Sequence, residues 1–526
     1  MKAVTLVLIV AAVQGALAQP CVPPKNAPVV SYPSGTMLSK VGSSDMPITT
    51  KSEKARRLCQ QGFALIHGFW FFEAIRSFRD AAKEDPTCAI AWAGLNVALT
   101  QPWNHRDEYR GEAEYAIQKA ISHVNSASEI EQTFIRAIRL RSFDGDDRGT
   151  VFEREMQKLI NEHPTLAEPR LVWAGLRCQL CMSGYCEEDV VRGDLIKVAE
   201  LVDPILKRDG KNMGALHYAI HAYEPRNPDK AVEYALRLAA LDSESPHLVH
   251  MPGHIFFRVG RYQEALEAFR KSQRVDEAYA EKLGVTPGDA DWQYGHNLAF
   301  MTVNLIEMGK LREAAEVGAK SGSQMAVLVR QGKWADLVKF PWPNGLHEKV
   351  PTLASVYRGR LLLEQGDIAG ATAKVESIEK YLSESRDVTD VTTYRVLKAE
   401  TEALAGEALA AKGEYSAARQ RLEESIRTYH KTAYSEPPHF YRLPHETLGF
   451  VLIRAGENAE AIRAFQSGLK ERPLSGWLLY GIAFAYEKAG DRVQAKRAYE
   501  KVIKEWPTAD ADLPEMIHAR AYLGQD

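Results

Sequence analysis

Fifteen histidines are spread over 526 residues, yet five of them fall between positions 217 and 254 and a sixth follows at 296. In "GALHYAIHAYEPRNP", His217 and His221 stand four residues apart, one turn apart on one face of a helix. In "HLVHMPGHIFF", His247, His250 and His254 follow at separations of three and four, which again makes a single helical stripe. Pro is favoured in the first turn of a helix, so Pro252 predicts that His254 is helical and that His250 and His247 sit at or just before its start. Paired imidazoles one turn apart are a standard way for a helix to offer two metal ligands, and imidazole suits Zn, Cu, Fe or Ni. The metal-ligand candidates are therefore His217, His221, His247, His250, His254 and His296. Tyr218, Asn297, Tyr294 and Arg258 lie close enough in sequence to orient rings or hold an anion, as does Glu224. If a metal kept part of its coordination sphere open, Glu224 is the candidate general base. Two other readings use the same residues: a groove that takes an acidic peptide or titrates near neutral pH, and plain packing of each ring in a helix interface.

Other constellations carry less. "CQLCMSGYC" has a zinc-like spacing between Cys178 and Cys181 but lacks a clear fourth ligand, so a Cys181–Cys186 disulfide is the expectation there. Cys59 and Cys88, on neighbouring helices, are a second candidate bridge. "SEPPHFYRLPHETLG" holds His439 and His445 beside Glu436 and Glu446, and "TQPWNHRDEYR" holds Trp103 and His105; each reads equally well as an inter-repeat loop. The chain has no Gly-rich phosphate loop, no Gly-x-Ser-x-Gly and no His-Glu-x-x-His.

The elements that position these residues show in the repeats. Gly456 and Gly490 lie 34 residues apart, as do Ala461 and Ala495, Phe465 and Tyr499, and Pro473 and Pro507. A small residue (Gly449, Ala483) lets two helices approach, a Gly frees the turn, an aromatic fills the gap and a Pro ends the second helix. This resembles the tetratricopeptide repeat, a helix–turn–helix unit of that period. The same turn Gly, with a small residue five positions on, recurs in "HIFFRVGRYQEALEAFRKS", "LIEMGKLREAAEV", "LLLEQGDIAGATAKV" and "LAAKGEYSAARQRLEES". His247 lies thirteen residues before Gly260, and His296 thirteen before Gly309, so successive repeats carry imidazole in one slot. The resemblance implies an all-α, helix–turn–helix solenoid, a right-handed superhelix of about nine or ten pairs, whose first helices face a concave groove. A peptide, a protein or a small ligand is the expected occupant of that groove.

Taken together, "LHYAIHAYE", "HLVHMPGHIFFRVGRY", "YGHNLAF" and "EPPHFY" are similar to motifs of a widespread group of exported bacterial tetratricopeptide-repeat proteins. That resemblance singles out the same six histidines and supplies no reaction. The group's pattern has Ser where this chain has Gly253.

The expected organisation is a signal peptide over 1–18, cleaved near Ala18, then a flexible segment 19–50 and tetratricopeptide-like repeats over 51–210. Histidine-rich repeats follow over 211–330, an irregular loop containing Trp342 over 331–352, and C-terminal repeats over 353–526. Lys2, the apolar run to Val13 and Ala16-Leu17-Ala18 carry the signal-peptide reading, and with it a secreted or periplasmic setting. No later stretch has the ~20 apolar residues that a membrane helix needs. Sixty-six basic against sixty-nine acidic residues leave a net charge of −3, so nothing points to nucleic acid or an anionic membrane as partner.

Overall fold

A computed structural model describes residue 35 and residues 37–102, 107–142, 148–181, 188–290, 292–340, 352–385, 391–432 and 434–524. The expected signal peptide, Cys21, Trp103, His105, Cys186 and Trp342 lie outside the described residues, as does the side chain of Cys181. Every regular element among the described residues is a helix, and the fold is an all-α helical-repeat solenoid. Two compact units divide the described chain: residues up to 256 with 267–297, and residues 257–266 with those from 298 on.

The first unit opens with α1 (Glu53–His67), α2 (Phe71–Glu84) and α3 (Ala89–Leu99). Ser52 caps α1 by accepting from the Ala55 amide at 3.2 Å. Further along stand α4 (Glu168–Cys181), α5 (Met213–Tyr223), α6 (Pro246–Arg258), α7 (Tyr262–Leu283) and α8 (Gln293–Glu307). Asn212 caps α5, and nine of its eleven residues are buried, so its polar side chains must find partners inside the protein. The boundary between the units falls within α6, α7 and α8.

One packing rule recurs in both units. Phe78 of α2 is fully buried between Gly62 of α1 and Gly94 of α3, where an added Cβ would lie 2.6 and 2.1 Å from its ring. The second unit contains α9 (Pro444–Arg454), α10 (Asn458–Glu471), α11 (Gly476–Lys488) and α12 (Arg492–Glu505). There Phe465 of α10 is sandwiched in the same way by Gly449 and Gly481, each 2.4 Å from the ring by the same measure. Gly481 thus admits the same ring from the following repeat. The turns of these two pairs are Gly456 at φ +80° and Gly490 at φ +76°, a left-handed conformation that side chains resist.

Residues 37–50 depart from the expected flexible segment. They are held by hydrogen bonds from side chains 23 to 205 positions away. Leu38 donates its amide to Gln61 at 2.7 Å, and the Ser39 and Lys40 amides both reach Glu244. Asp45 accepts from the amides of Ala167 and Glu168 at 2.7 and 3.0 Å, and the Thr49 amide donates to Glu131 at 2.7 Å. Val41, Met46 and Ile48 are buried. A polar, Pro- and Ser-containing composition reads as disorder only when no such partners exist, and here distant side chains supply them. The expected irregular loop also begins with a short helix, Trp334–Lys339, with Leu337 in the apolar core.

Replacing Gly94 or Gly449 by Val should lower stability by about 1–3 kcal/mol, because the added methyls meet a ring that has no room to move. Gly111, where nothing lies within 4 Å, is the control: Gly111→Ala should leave stability unchanged or raise it. Denaturant midpoints of the three variants check this, and a Gly94→Val protein as stable as the parent would overturn the packing rule.

Candidate functional site

The histidines come from three helices of the first unit. Helix α5 supplies His217 and His221, α6 supplies His247, His250 and His254, and α8 supplies His296. All three imidazoles of "HLVHMPGH" are helical, because the helix starts at Pro246 rather than at Pro252. Pro252 is an interior helical residue that forgoes one backbone hydrogen bond. The rings sort into two triads: ring nitrogens of His217, His221 and His247 lie within 4.8 Å of one another, and so do those of His250, His254 and His296. Five of the six are at most 2 % exposed, and His296 is half-buried.

Hydrogen bonds to the outer nitrogens fix how these rings face. His217 Nδ1 donates to the carbonyl of His67 at 2.6 Å, which turns Nε2 inward to within 3.0 Å of His247 Nε2. His250 Nδ1 donates to Asn297 Oδ1 at 2.8 Å; that amide is itself oriented by donating Nδ2 to the Phe269 carbonyl at 2.9 Å. His254 Nδ1 donates to Glu224 Oε1 at 3.0 Å. With Nδ1 of each ring held by these acceptors, His250 and His254 turn Nε2 inward, and these two Nε2 atoms are in close contact. Ring nitrogens this close share a proton or a metal ion.

A proton is a poor choice for that cation. Burial pushes the pKa of all six imidazoles down, His217 to about 3 and His296 to about 4, with His221, His247, His250 and His254 well below the ordinary value. Neighbouring imidazoles add to the effect. At neutral pH the cluster is a set of uncharged nitrogen donors, the protonation state in which imidazole binds a metal.

Glu224, at the end of α5, is fully buried and lies between the triads: Oε1 faces His254, and Oε2 is 4.0 Å from His221 Nδ1. Asn297 orients His250. The other expected neighbours are placed elsewhere. Tyr218 points its hydroxyl away from both triads, 3.0 Å from His67 Nδ1. Tyr294 donates to Glu277 at 3.0 Å. Arg258 belongs to the other unit, where its guanidinium stands 5.1 Å over the Tyr434 ring. Cys59 and Cys88 are buried thiols that share a side-chain hydrogen bond rather than a disulfide, and Cys178 is buried as well. In the second unit Glu446 pairs with Arg330 at 2.5 Å, which removes it from any ligand set with the buried His445 beside it.

Three residues of this site lie far from the histidine motifs in sequence: His67, Phe69 and Glu168. Phe69 takes a left-handed φ of +52°, unusual for a bulky residue, and its ring centroid lies 4.5, 5.7 and 5.4 Å from those of His217, His221 and His247. It presses an apolar face on the first triad. Behind that triad, His67 Nε2 donates to Glu168 at 2.8 Å while Nδ1 accepts from Tyr218, and Ser44 donates to the same carboxylate at 2.5 Å. Gly214 lets α5 reach His67, since an added Cβ would lie 2.8 Å from the His67 Cβ. Gly253 has a similar reason. A Cβ there would lie 2.5 Å from Phe269, so a Ser at this position would displace the ring that backs this cluster. The sequence signal for these residues was slight: "IHGFW" puts a His and a Phe on either side of a helix-ending Gly.

The tetratricopeptide-repeat family model matches residues 477–509, within α11 and α12 and just beyond. No curated protein matches the chain. Among solved structures, the chain is similar to the Cut9–Hcn1 hetero-tetramer of the APC/C, at 16% identity over 90% of this chain and 76% of that one, with a TM-score of 0.34. It is also similar to the human IFIT1 dimer with m7Gppp-AAAA, at 13% identity over 87% and 91%, TM-score 0.32. Yeast Tom70 matches at 13% identity over 90% and 97%, TM-score 0.25. The chain thus carries a tetratricopeptide repeat, and the site described above rests on its own geometry.

Proposed function

We propose that this protein binds transition-metal ions through the two buried imidazole triads, on a tetratricopeptide-type helical scaffold. The observation that carries this reading is the pair of buried triads, each with three ring nitrogens within 4.8 Å of one another, with the His250 and His254 Nε2 atoms in close contact inside the second. A metal ion would take these nitrogens as ligands. Zn, Cu and Fe all suit imidazole donors. Asn297, Glu224 and the His67 carbonyl are the outer partners that hold ligating rings in one tautomer and one orientation. Glu224 is a positioning residue in this reading, since its carboxylate is engaged with His254. A helical-repeat scaffold of this kind is consistent with protein–protein binding as well. The six histidines are poor contacts for a docked peptide, because five are almost wholly buried and Phe69 covers the first triad.

Metal analysis of the full chain, purified without a histidine tag and reconstituted with Zn, Cu or Fe, tests the proposal. At least one equivalent should remain after gel filtration, and less than about 0.1 equivalent of every metal would sink the reading. His254→Ala should remove most of the bound metal. Asn297→Ala, which leaves all six ligands in place, should weaken affinity by about 10–100-fold.

The depressed imidazole pKa values also set a pH window for the metal-free protein. In the unfolded chain these groups titrate near ~6.5. In the fold they stay neutral down to about 4 for His296 and about 3 for His217. Between those limits the unfolded state binds more protons, so stability is fully present above ~6.5 and is lost as pH falls toward 4. Thermal melts of the EDTA-treated chain should drop by at least roughly 5 °C between about pH 7 and pH 4.5. A flat profile over that range would show that these imidazoles are not buried neutral.

A further inference from the structure

The two triads differ in how an ion from solvent can reach them. His217, His221 and His247 are at most 2 % exposed, and the buried Phe69 ring is packed against all three. Phe69 keeps its left-handed φ without being a glycine, and strain of that kind persists only where the surroundings fix it. Gln293 of α8 is one such support, donating to the Phe69 carbonyl at 3.5 Å.

The second triad is open at one member. His296 is half-buried, and so are Trp292 and Gly295 beside it; nothing lies within 4 Å of a Cβ added to Gly295. The His296 ring centroid is 5.0 Å from that of His250 and 5.6 Å from that of His254. An ion caught at this edge is already beside the other two ligands.

Between the triads stands His247. It precedes His250 by one turn of α6, with ring centroids 5.8 Å apart, and its Nε2 lies 3.0 Å from His217 Nε2. The Nδ1 atoms of His217, His250 and His254 are tied to the His67 carbonyl, Asn297 and Glu224. His247 Nδ1 is buried and has no hydrogen-bond partner among the described residues. Outer partners fix the orientation of a ligand ring, so a ring without one is the ring that can turn to take an ion from its neighbour.

We propose that metal ions enter and leave through the second triad, at His296, and reach the first triad by hand-over from His250 to His247, with Phe69 sealing the first triad against direct exchange. This rests on the metal-site reading above and goes further in assigning the route and the residues that control it. The hand-over is a ligand substitution: the bond from the ion to His250 breaks as one to His247 forms, with no change of oxidation state.

The test uses zinc as the probe and the metal-free full chain, with uptake followed by stopped flow against a fluorescent zinc indicator. His221→Ala, which removes the first triad, should load its remaining site at the wild-type initial rate. His296→Ala, which leaves the first triad whole, should load at least about tenfold more slowly, because a buried Phe ring must then be displaced. Adding Phe69→Gly to His296→Ala should restore fast loading, since Gly accepts the left-handed φ and uncovers the three rings. Wild-type loading by His296→Ala overturns the route, and so does slow loading by a folded, zinc-binding double variant. A His296→Ala chain that never binds zinc overturns it as well, because the first triad would then hold no ion. Each of these outcomes leaves zinc binding by the wild type standing, whereas no uptake of any transition metal by the wild type overturns the metal site itself. If Phe69→Gly does not fold, the His221→Ala and His296→Ala rates decide the route alone.

Discussion

Six imidazoles cannot be buried side by side while charged, and the rest of the first unit is arranged around that constraint. Burial makes each ring neutral, and a neutral ring has one donor nitrogen and one acceptor nitrogen to satisfy. The protein meets the first requirement with fixed acceptors outside the cluster: the His67 carbonyl for His217, Asn297 for His250 and Glu224 for His254. These choices push the remaining lone pairs inward. A cluster held together by apolar packing alone would gain nothing from aiming bare nitrogens at one another, and Leu or Phe would fill the same volume without leaving buried acceptors.

The repeat architecture makes such a cluster geometrically cheap. Each repeat contributes a first helix in nearly the same register, so one slot filled by His in consecutive repeats brings imidazoles together without any special loop. His247 and His296, in equivalent slots of successive repeats, join one triad each. Close approach of the helices depends on residues without side chains, Gly253 against Phe269 and Gly214 against His67. The repeats around Phe78 and Phe465 use the identical device with no polar cargo. The helical packing is therefore general to the chain, and the chemistry is a local substitution on it.

Periodicity is local information, which is why the fold, the turn glycines and the grouping of His217, His221, His247, His250, His254 and His296 could be read from the sequence. Spacings of three, four and thirteen survive folding unchanged. What could not be read depends on contacts between distant segments. Nothing near position 67 announces that its carbonyl receives His217, or that Phe69 will lie against rings 150 residues away. The division into two triads was hidden for the same reason, since it follows from how α5, α6 and α8 pack rather than from spacing within any one of them. Pro252 misled in a different way. Its preference for a first turn is real, but Pro246 occupies that position and the helix simply continues through Pro252. Tyr218 shows the limit of proximity in sequence: beside His217, it carries its hydroxyl to His67 Nδ1 instead, because adjacent helical residues point about 100° apart.

The segment at 37–50 gives the site a dependence that a histidine motif alone would lack. Ser44 donates to Glu168, Glu168 accepts from His67, and the His67 carbonyl orients His217. Asp45 binds the amides at the start of α4, which fixes the helix that carries Glu168. Each link is buried or nearly so, and removal of any one leaves a polar group without its partner, which is costly in such surroundings. The direction of one imidazole therefore depends on a chain segment more than 170 residues upstream of it. A cluster so supported is held by the fold itself. The energy for keeping six nitrogen donors in place comes from the packing of the helices and from this chain of hydrogen bonds.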